Sequence, residues 1–326
     1  MSKTDLIMNA LDQRVMRREE RRKFFKLSGG FAAGAVGGAV LGACSSGGGD
    51  AIAQNPPSGD SDASVLNYAL NLEYLEAQFY SFAAFGTGLA NADLTGTGTQ
   101  GAVIGGRQVT FTDPVVRDYA REIANDEIAH VRFLRTALGG SAVAQPAIDV
   151  GGTDPNGAFS NAARAAGLVG PGQAFDPYAN DENFLLGAFI FEDVGVTLYK
   201  GASPLINSKV FLEAAAGILA AEAYHAGLVR TVLYAKGIAA PSLRTSADAI
   251  SNARDSLDGA SDLDQGISPT GSGTTQASNI FPGDANAIAF SRTVQQGLNI
   301  VYLNPAAGVT QGGFFPAGMN GTIRST

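Results

Sequence analysis

Glu127-Ile128-Ala129-His130 and Glu222-Ala223-Tyr224-His225 contain the only two histidines of the chain, and each histidine follows a glutamate by three residues. With ten Glu among 326 positions, chance alone would produce both spacings in about one sequence in a thousand. Residues three apart on an α-helix project from one face, so each motif, if helical, points a carboxylate and an imidazole the same way. Tyr119, Ile123 and Leu134 share the face of the first motif, and Leu212, Ala215, Leu219 and Val229 that of the second. Both polar pairs therefore face an apolar interior. An ionised carboxylate buried without a partner is very costly, and cations held between the helices would remove that cost.

Around the motifs the chain reads as four long helices. Asp62 or Ser64 caps the first, which runs to about residue 85 and places Leu66, Ala69, Glu73, Glu76 and Tyr80 on one face. Asp113-Pro114 opens the second and Gly139-Gly140 ends it. The third covers about 181–201 and the fourth about 208–236, with Gly237 behind it. In the first connection, 86–112, the stretch 103–109 has the turn chemistry of a small β-hairpin. About forty residues join the second and third helices, with a short helix near 158–166, and a short turn joins the third and fourth. The expected fold is all-α: residues 62–240 form a four-helix bundle with one long crossover between helices 2 and 3. Residues 241–326, rich in Gly, Ser and Asn, read as a mostly irregular C-terminal extension with one apolar helix within 287–302.

The third helix contributes a further carboxylate, Glu192, and the first offers Glu73 and Glu76. An internal repeat separates these two. Superposing Leu66 on Leu185, Ala69 on Ala188 and Tyr80 on Tyr199 brings Glu73 onto Glu192, whereas Glu76 falls on Gly195. Glu73 is therefore the expected ligand and Glu76 an additional candidate. One Glu from each of two helices and Glu-x-x-His from each of the other two is the donor pattern of di-iron and di-manganese bundle proteins. The expected metal ligands are Glu73, Glu127, His130, Glu192, Glu222 and His225, holding two Mn or Fe ions. Tyr80 and Tyr199, each seven residues after its Glu, either hydrogen-bond the ligating carboxylates or fill the core as ordinary tyrosines. Glu122, Asp126, Asp193 and Glu213 lie off the motif face and read as solvated or capping residues.

The chain is 45% hydrophobic and carries 22 Lys+Arg against 30 Asp+Glu, a net charge of −8. An acidic chain is a poor partner for phosphate backbones, so nucleic acid is not an expected ligand. The single cysteine excludes an intramolecular disulfide and thiolate-rich metal sites. Much of the basic charge sits in residues 1–43, where Arg21-Arg22-Lys23-Phe24 precedes an uncharged run over 27–43, the pattern of a twin-arginine export signal. The competing reading, a transmembrane anchor, is disfavoured by six glycines in that run. Leu41-Gly42-Ala43-Cys44 is lipobox-like, with Cys44 the expected lipidation site and membrane attachment; Ala51-Ile52-Ala53 is the competing cleavage site. Removing 1–43, with eight basic and four acidic residues, takes the net charge from −8 to −12. Residues 44–61 are a flexible linker, and the expected location is the periplasm or cell envelope.

Asn71-Leu72-Glu73 with Tyr80 resembles the first ferritin helix, and the order Glu, Glu-x-x-His, Glu, Glu-x-x-His is similar to that of rubrerythrins and manganese catalases. Leu70-Asn71-Leu72-Glu73-Tyr74-Leu75-Glu76-Ala77 further resembles the opening helix of the ferritin-like, desiccation-related proteins. The resemblance covers about residues 62–237 and extends to Asn299-Ile300-Val301-Tyr302-Leu303 in the tail. It implies a ferritin-like bundle and the same six metal ligands and does not settle activity; open positions on the two metals make a small oxidant (hydrogen peroxide or dioxygen) the expected substrate, in oxidative or desiccation stress, with a homo-oligomer left open. It leaves open an enzyme of catalase, peroxidase or ferroxidase type and a non-enzymatic protein whose metals only stabilise the bundle.

Overall fold

A computed structural model describes residues 61–326. The expected export signal, Cys44 and the linker up to residue 60 lie outside the described residues. Four long helices carry the fold: α1 (Asp62–Phe85), α2 (Pro114–Leu138), α4 (Asp181–Ala202) and α5 (Lys209–Ala239), with the short α3 (Ala158–Ala165) in the crossover. Each long helix starts where a polar side chain satisfies a free backbone N–H. Ser61 accepts from the Ser64 N–H, one residue ahead of the expected cap. Asp113 accepts from Val115 at 2.9 Å, Asn180 from Asn183 at 2.8 Å, and Ser208 from Phe211 at 3.4 Å. α1 and α4 are buried almost all round, whereas α2 buries a single stripe. α1 lies along α2 and α4 along α5, and the two pairs meet more sparingly.

The small sheet in the first connection forms with a different partner from the one its turn residues suggest. β1 (Val103–Ile104) pairs in parallel with β2 (Ile148–Asp149), which comes from the long crossover, so the two strands are not a local hairpin. Gly105 and Gly106 do not reverse the chain; they allow its backbone to lie against the rings of Phe82 and Tyr178, where a Cβ would come within 2.2 and 2.0 Å of ring carbons.

The C-terminal extension is more ordered than its composition suggests. Directly after α5 comes α6 (Ser242–Asp258), a helix the sequence reading missed, and α7 (Val294–Tyr302) begins at a capping box of Thr293 and Gln296. Phe314 packs edge-on against Phe191 at 4.9 Å and Phe159 at 5.2 Å, tying the tail into the bundle core. Among the described residues no helix is long and apolar enough to cross a membrane.

Asp193, expected to be solvated, is the main correction. It is 2% exposed, and its Oδ2 accepts from Arg230 at 2.7 Å and Arg254 at 2.9 Å. Arg254 and Arg292 both donate to Asp264, and Arg292 donates to Asp258 at 2.7 Å. All six charged groups are buried. The physical reason is that α4 has no solvated face: leaving the motif face of that helix leads to a second interior, between α4, α5 and α6.

Candidate metal centre

The six expected ligands converge between the four long helices: Glu73 from α1, Glu127 and His130 from α2, Glu192 from α4, and Glu222 and His225 from α5. Donor atoms of Glu73, Glu127, His130 and Glu222 lie within 4.8 Å of one another, as do those of Glu192, Glu222 and His225. Glu222 belongs to both groups. Glu127 also spans them, with Oε2 3.5 Å from His130 Nδ1 and Oε1 3.1 Å from His225 Nδ1. His130 Nδ1 lies 3.2 Å from Glu73 Oε2, and His225 Nδ1 3.7 Å from Glu192 Oε2. The two imidazole rings sit 6.3 Å apart.

Most of these donor atoms have no protein partner. Both oxygens of Glu127 and of Glu222, Glu192 Oε2 and His225 Nδ1 are buried with no hydrogen bond from any described residue. The 3.1 Å approach of Glu127 to His225 is therefore close in distance but wrong in direction for a hydrogen bond. Each such orphaned group costs about 1–3 kcal/mol, more when charged. Carboxylate oxygens and imidazole nitrogens are the donors Mn and Fe accept, so the residues fit a pair of such cations.

The electrostatics point the same way. Burial pushes the Glu73 carboxyl up to about 7 and that of Glu192 up to about 8, although the neighbouring histidines pull both down. Burial, and then the surrounding carboxylates, hold Glu222 and Glu76 well above the ordinary range. Glu127 is pressed upward by burial too, but the adjacent His130 and His225 outweigh it and bring it below the ordinary value. Burial opposes charge on the histidines, yet the carboxylates raise His130 to about 11 and His225 to about 10. Without metal, the cluster balances its charge with protons, and cations would displace them.

Three further groups surround the ligands. The Tyr80 hydroxyl donates to Glu192 Oε1 and the Tyr199 hydroxyl to Glu73 Oε1, so each tyrosine orients the glutamate of the other helix. Asp126 Oδ2 lies 3.3 Å from His225 Nε2. A carboxylate on the far nitrogen of an imidazole fixes its tautomer and ring orientation; Asp126 adds this contact to the solvated position expected for it, its side chain being 48% exposed. The sequence signal was its position directly before Glu127; a step of about 100° off the helix face made it read as outward. Glu122 and Glu213 are exposed as expected.

Glu76 is buried but joins neither donor group. It faces Glu222 across the space left by Gly195, where a Cβ would lie 2.4 Å from Glu222 Oε2 and 3.6 Å from Glu76 Oε1. Gly195 is thus the place where the internal repeat is broken, and a side chain there would displace a ligand.

The model of the ferritin-like domain matches residues 61–235, the whole of α1 to α4 and nearly all of α5. The chain belongs to the ferritin-like domain family. This ferritin-like protein is 33% identical over 251 residues to the desiccation-related protein PCC13-62 of Craterostigma plantagineum, covering 72% of this chain and 76% of the relative. It is 28% identical over 275 residues to the ferritin-like catalase Nec2 of Nesocodon mauritianus, covering 81% of this chain and 85% of the relative. Both alignments are longer than the bundle, so they take in part of the sequence outside it. No solved structure matches.

Proposed function

We propose that this ferritin-like protein is an exported metalloenzyme that holds two manganese or iron ions on Glu73, Glu127, His130, Glu192, Glu222 and His225 and turns over hydrogen peroxide or dioxygen under oxidative or desiccation stress. One observation carries the reading: six buried donor atoms from three helices point into one space with no protein partner. The names of the two relatives, a catalase and a desiccation-related protein, support the chemistry and the setting.

Bound as a pair, such ions supply paired one-electron redox steps at open coordination positions. The chain's own residues set the conditions. Glu222, which belongs to both donor groups, and Glu127, which approaches both histidines, would help hold both ions; Tyr80 and Tyr199 hold Glu192 and Glu73 in place; Asp126 orients His225. The aromatic and aliphatic side chains of α1 and α4 keep bulk water away. Residues 1–43 would direct export, and a lipidated Cys44 would hold the folded protein at the membrane.

Elemental analysis of the protein isolated from its native compartment should find two Mn or Fe per chain, and oxygen release should follow peroxide addition. Glu127→Ala removes a ligand of both positions and should abolish turnover. No peroxide or dioxygen consumption with either metal would refute the enzymatic reading; a chelator-sensitive melting temperature alone would mark a stabilising role. Replacing Arg21-Arg22 by Lys-Lys should block export, and Cys44→Ser should remove the lipid mass from the mature chain.

A further inference from the structure

α5 is as apolar in composition as α4, yet α4 is buried almost all round and α5 buries one side only. Its outward side repeats at steps of three and four through Gly217, Ala220, Tyr224, Leu228 and Thr231, with Gly227 next to Tyr224 on the same face. From Ala214 to Val229 the helix has no charged side chain besides the inward Glu222 and His225, in a chain of net charge −8. The Tyr224 side chain in the middle of this face is 77% exposed. The two glycines have no internal reason to be there. A Cβ on Gly217 or Gly227 would meet nothing within 4 Å among the described residues. Each of the other glycines inside the α-helices, Gly187, Gly195, Gly201, Gly237 and Gly297, has a neighbour that a Cβ would strike, such as the Arg292 backbone at Gly201 and the Arg244 side chain at Gly237. Glycine destabilises a helix interior relative to alanine, so at 217 and 227 the missing side chain answers to something outside the described fold.

We propose that the outward face of α5 docks a second copy of this chain, α5 against α5, about a two-fold axis that passes between Tyr224 and Gly227. Two features select a second copy over another partner. The face is self-complementary: an exposed ring stands one helical step from a position with no side chain. An isologous interface requires each patch to match itself, and here the Tyr224 ring of each copy fills the Gly227 notch of the other. The axis that pairs 224 with 227 also pairs Ala220 with Thr231, both small. The face is also a charge-free part of an acidic molecule, so two like-charged copies meet there without bringing carboxylates together. Glycine and alanine at the contact let the helix axes approach to the lower end of about 8–10 Å. From Gly217 to Ile238, itself 71% exposed, the stripe is about 32 Å long and about 10 Å wide. That is well below the roughly 800 Å² per partner of a standard interface, which places the pair among the readily dissociating ones. The same turns of α5 hold Glu222 and His225 on their inward side, so the two donor clusters stand back to back. The pairing does not depend on what those clusters catalyse.

Sedimentation equilibrium of the full mature chain, carrying Cys44→Ser so that neither lipid nor thiol links the copies, measures the pairing. This parent should pass from monomer to dimer at concentrations on the order of micromolar. Gly227→Leu fills the notch and should raise the dissociation constant about a hundredfold, because the axis applies each overpacked contact twice. Tyr224→Arg sets two like charges beside the axis and should do the same. In both variants the melting temperature of the dilute monomer should not fall, since Leu and Arg are better helix formers than the Gly and Tyr they replace; this separates lost pairing from lost folding. A parent that stays monomeric up to about 1 mM overturns the proposal. So does a dimer that either variant leaves intact, which puts the pairing on another face. A monomer that binds vesicles of phosphatidylethanolamine and phosphatidylglycerol, and releases them on Tyr224→Arg, assigns the face to a lipid surface and overturns the proposal too.

Discussion

Asp193→Ala tests whether the second buried interior is built as described. Asp193 Oδ2 receives two charge-assisted hydrogen bonds, from Arg230 at 2.7 Å and Arg254 at 2.9 Å, and such bonds are worth about 1.5–3 kcal/mol each. Removing the carboxylate leaves Arg230, Arg254 and Arg292 buried against only Asp258 and Asp264. Breaking a buried ion pair on one side costs about 3–5 kcal/mol. Two features place this case toward the lower end. Arg230 keeps the carbonyls of Ile280, Gln265, Gly266 and Asn279, and Arg254 keeps Asp264 and the Phe189 carbonyl. The expected loss is about 3 kcal/mol, or on the order of 6–12 °C in Tm for a domain of this size. Urea midpoint and thermal melting of wild type, Asp193→Ala and Asp193→Asn measure it, with Asn expected in between because it keeps an acceptor but not the charge. Adding Arg254→Ala to Asp193→Ala should cost less than the two single losses added together. A loss below about 1 kcal/mol, the range of exposed pairs, would refute the burial of this network.

Two further outcomes follow from the metal centre. Gly195→Ala sets a Cβ 2.4 Å from Glu222 Oε2, and should weaken metal binding by about 10–100-fold in a competition titration while the far-UV spectrum stays helical; unchanged affinity would contradict the close approach. The metal-free protein should lose stability as pH rises. Glu73 and Glu192, raised from 4.5 to about 7 and 8, stabilise the folded state when protonated and lose that contribution as pH climbs through those values. The histidines lose theirs later, up to about 10 and 11. Metal needs the deprotonated donors, so the Tm gap between metal-loaded and chelated protein should widen from about pH 6 to 9; parallel curves would speak against these ligands.

The four long helices and the six clustered donors were legible because they rest on local rules. Ser208 and Asp113-Pro114 mark helix starts by satisfying or removing free N–H groups, and a Glu-x-x-His spacing puts two donors on one face whatever the rest of the chain does. What was not legible depends on distant partners. α6 buries Leu243, Ala247 and Ile250 as a short apolar stripe, and its other inward residues, Ser251, Arg254 and Asp258, are ones that periodicity counts as polar. Arg254 can be inward only because Asp193 and Asp264, 61 and 10 residues away, meet it. The strand at 103–104 was visible, but its partner 45 residues on was not, since Gly105-Gly106 has the same sequence whether it turns the chain or packs under Tyr178.

The crossed tyrosine bonds bear on ancestry. Tyr80 serves the glutamate of α4 and Tyr199 that of α1, so neither helical pair completes its own tyrosine–glutamate link. A single hairpin carrying Glu, Tyr and Glu-x-x-His would complete both links on pairing with a second copy about a two-fold axis, and the present chain has the form of two such hairpins joined end to end. In a true two-fold pair, a change at one position is repeated at its mate. Within one chain the two halves are free to differ, and they do at Glu76 and Gly195. The cluster therefore has two unlike sides, an arrangement that symmetry forbids to twins.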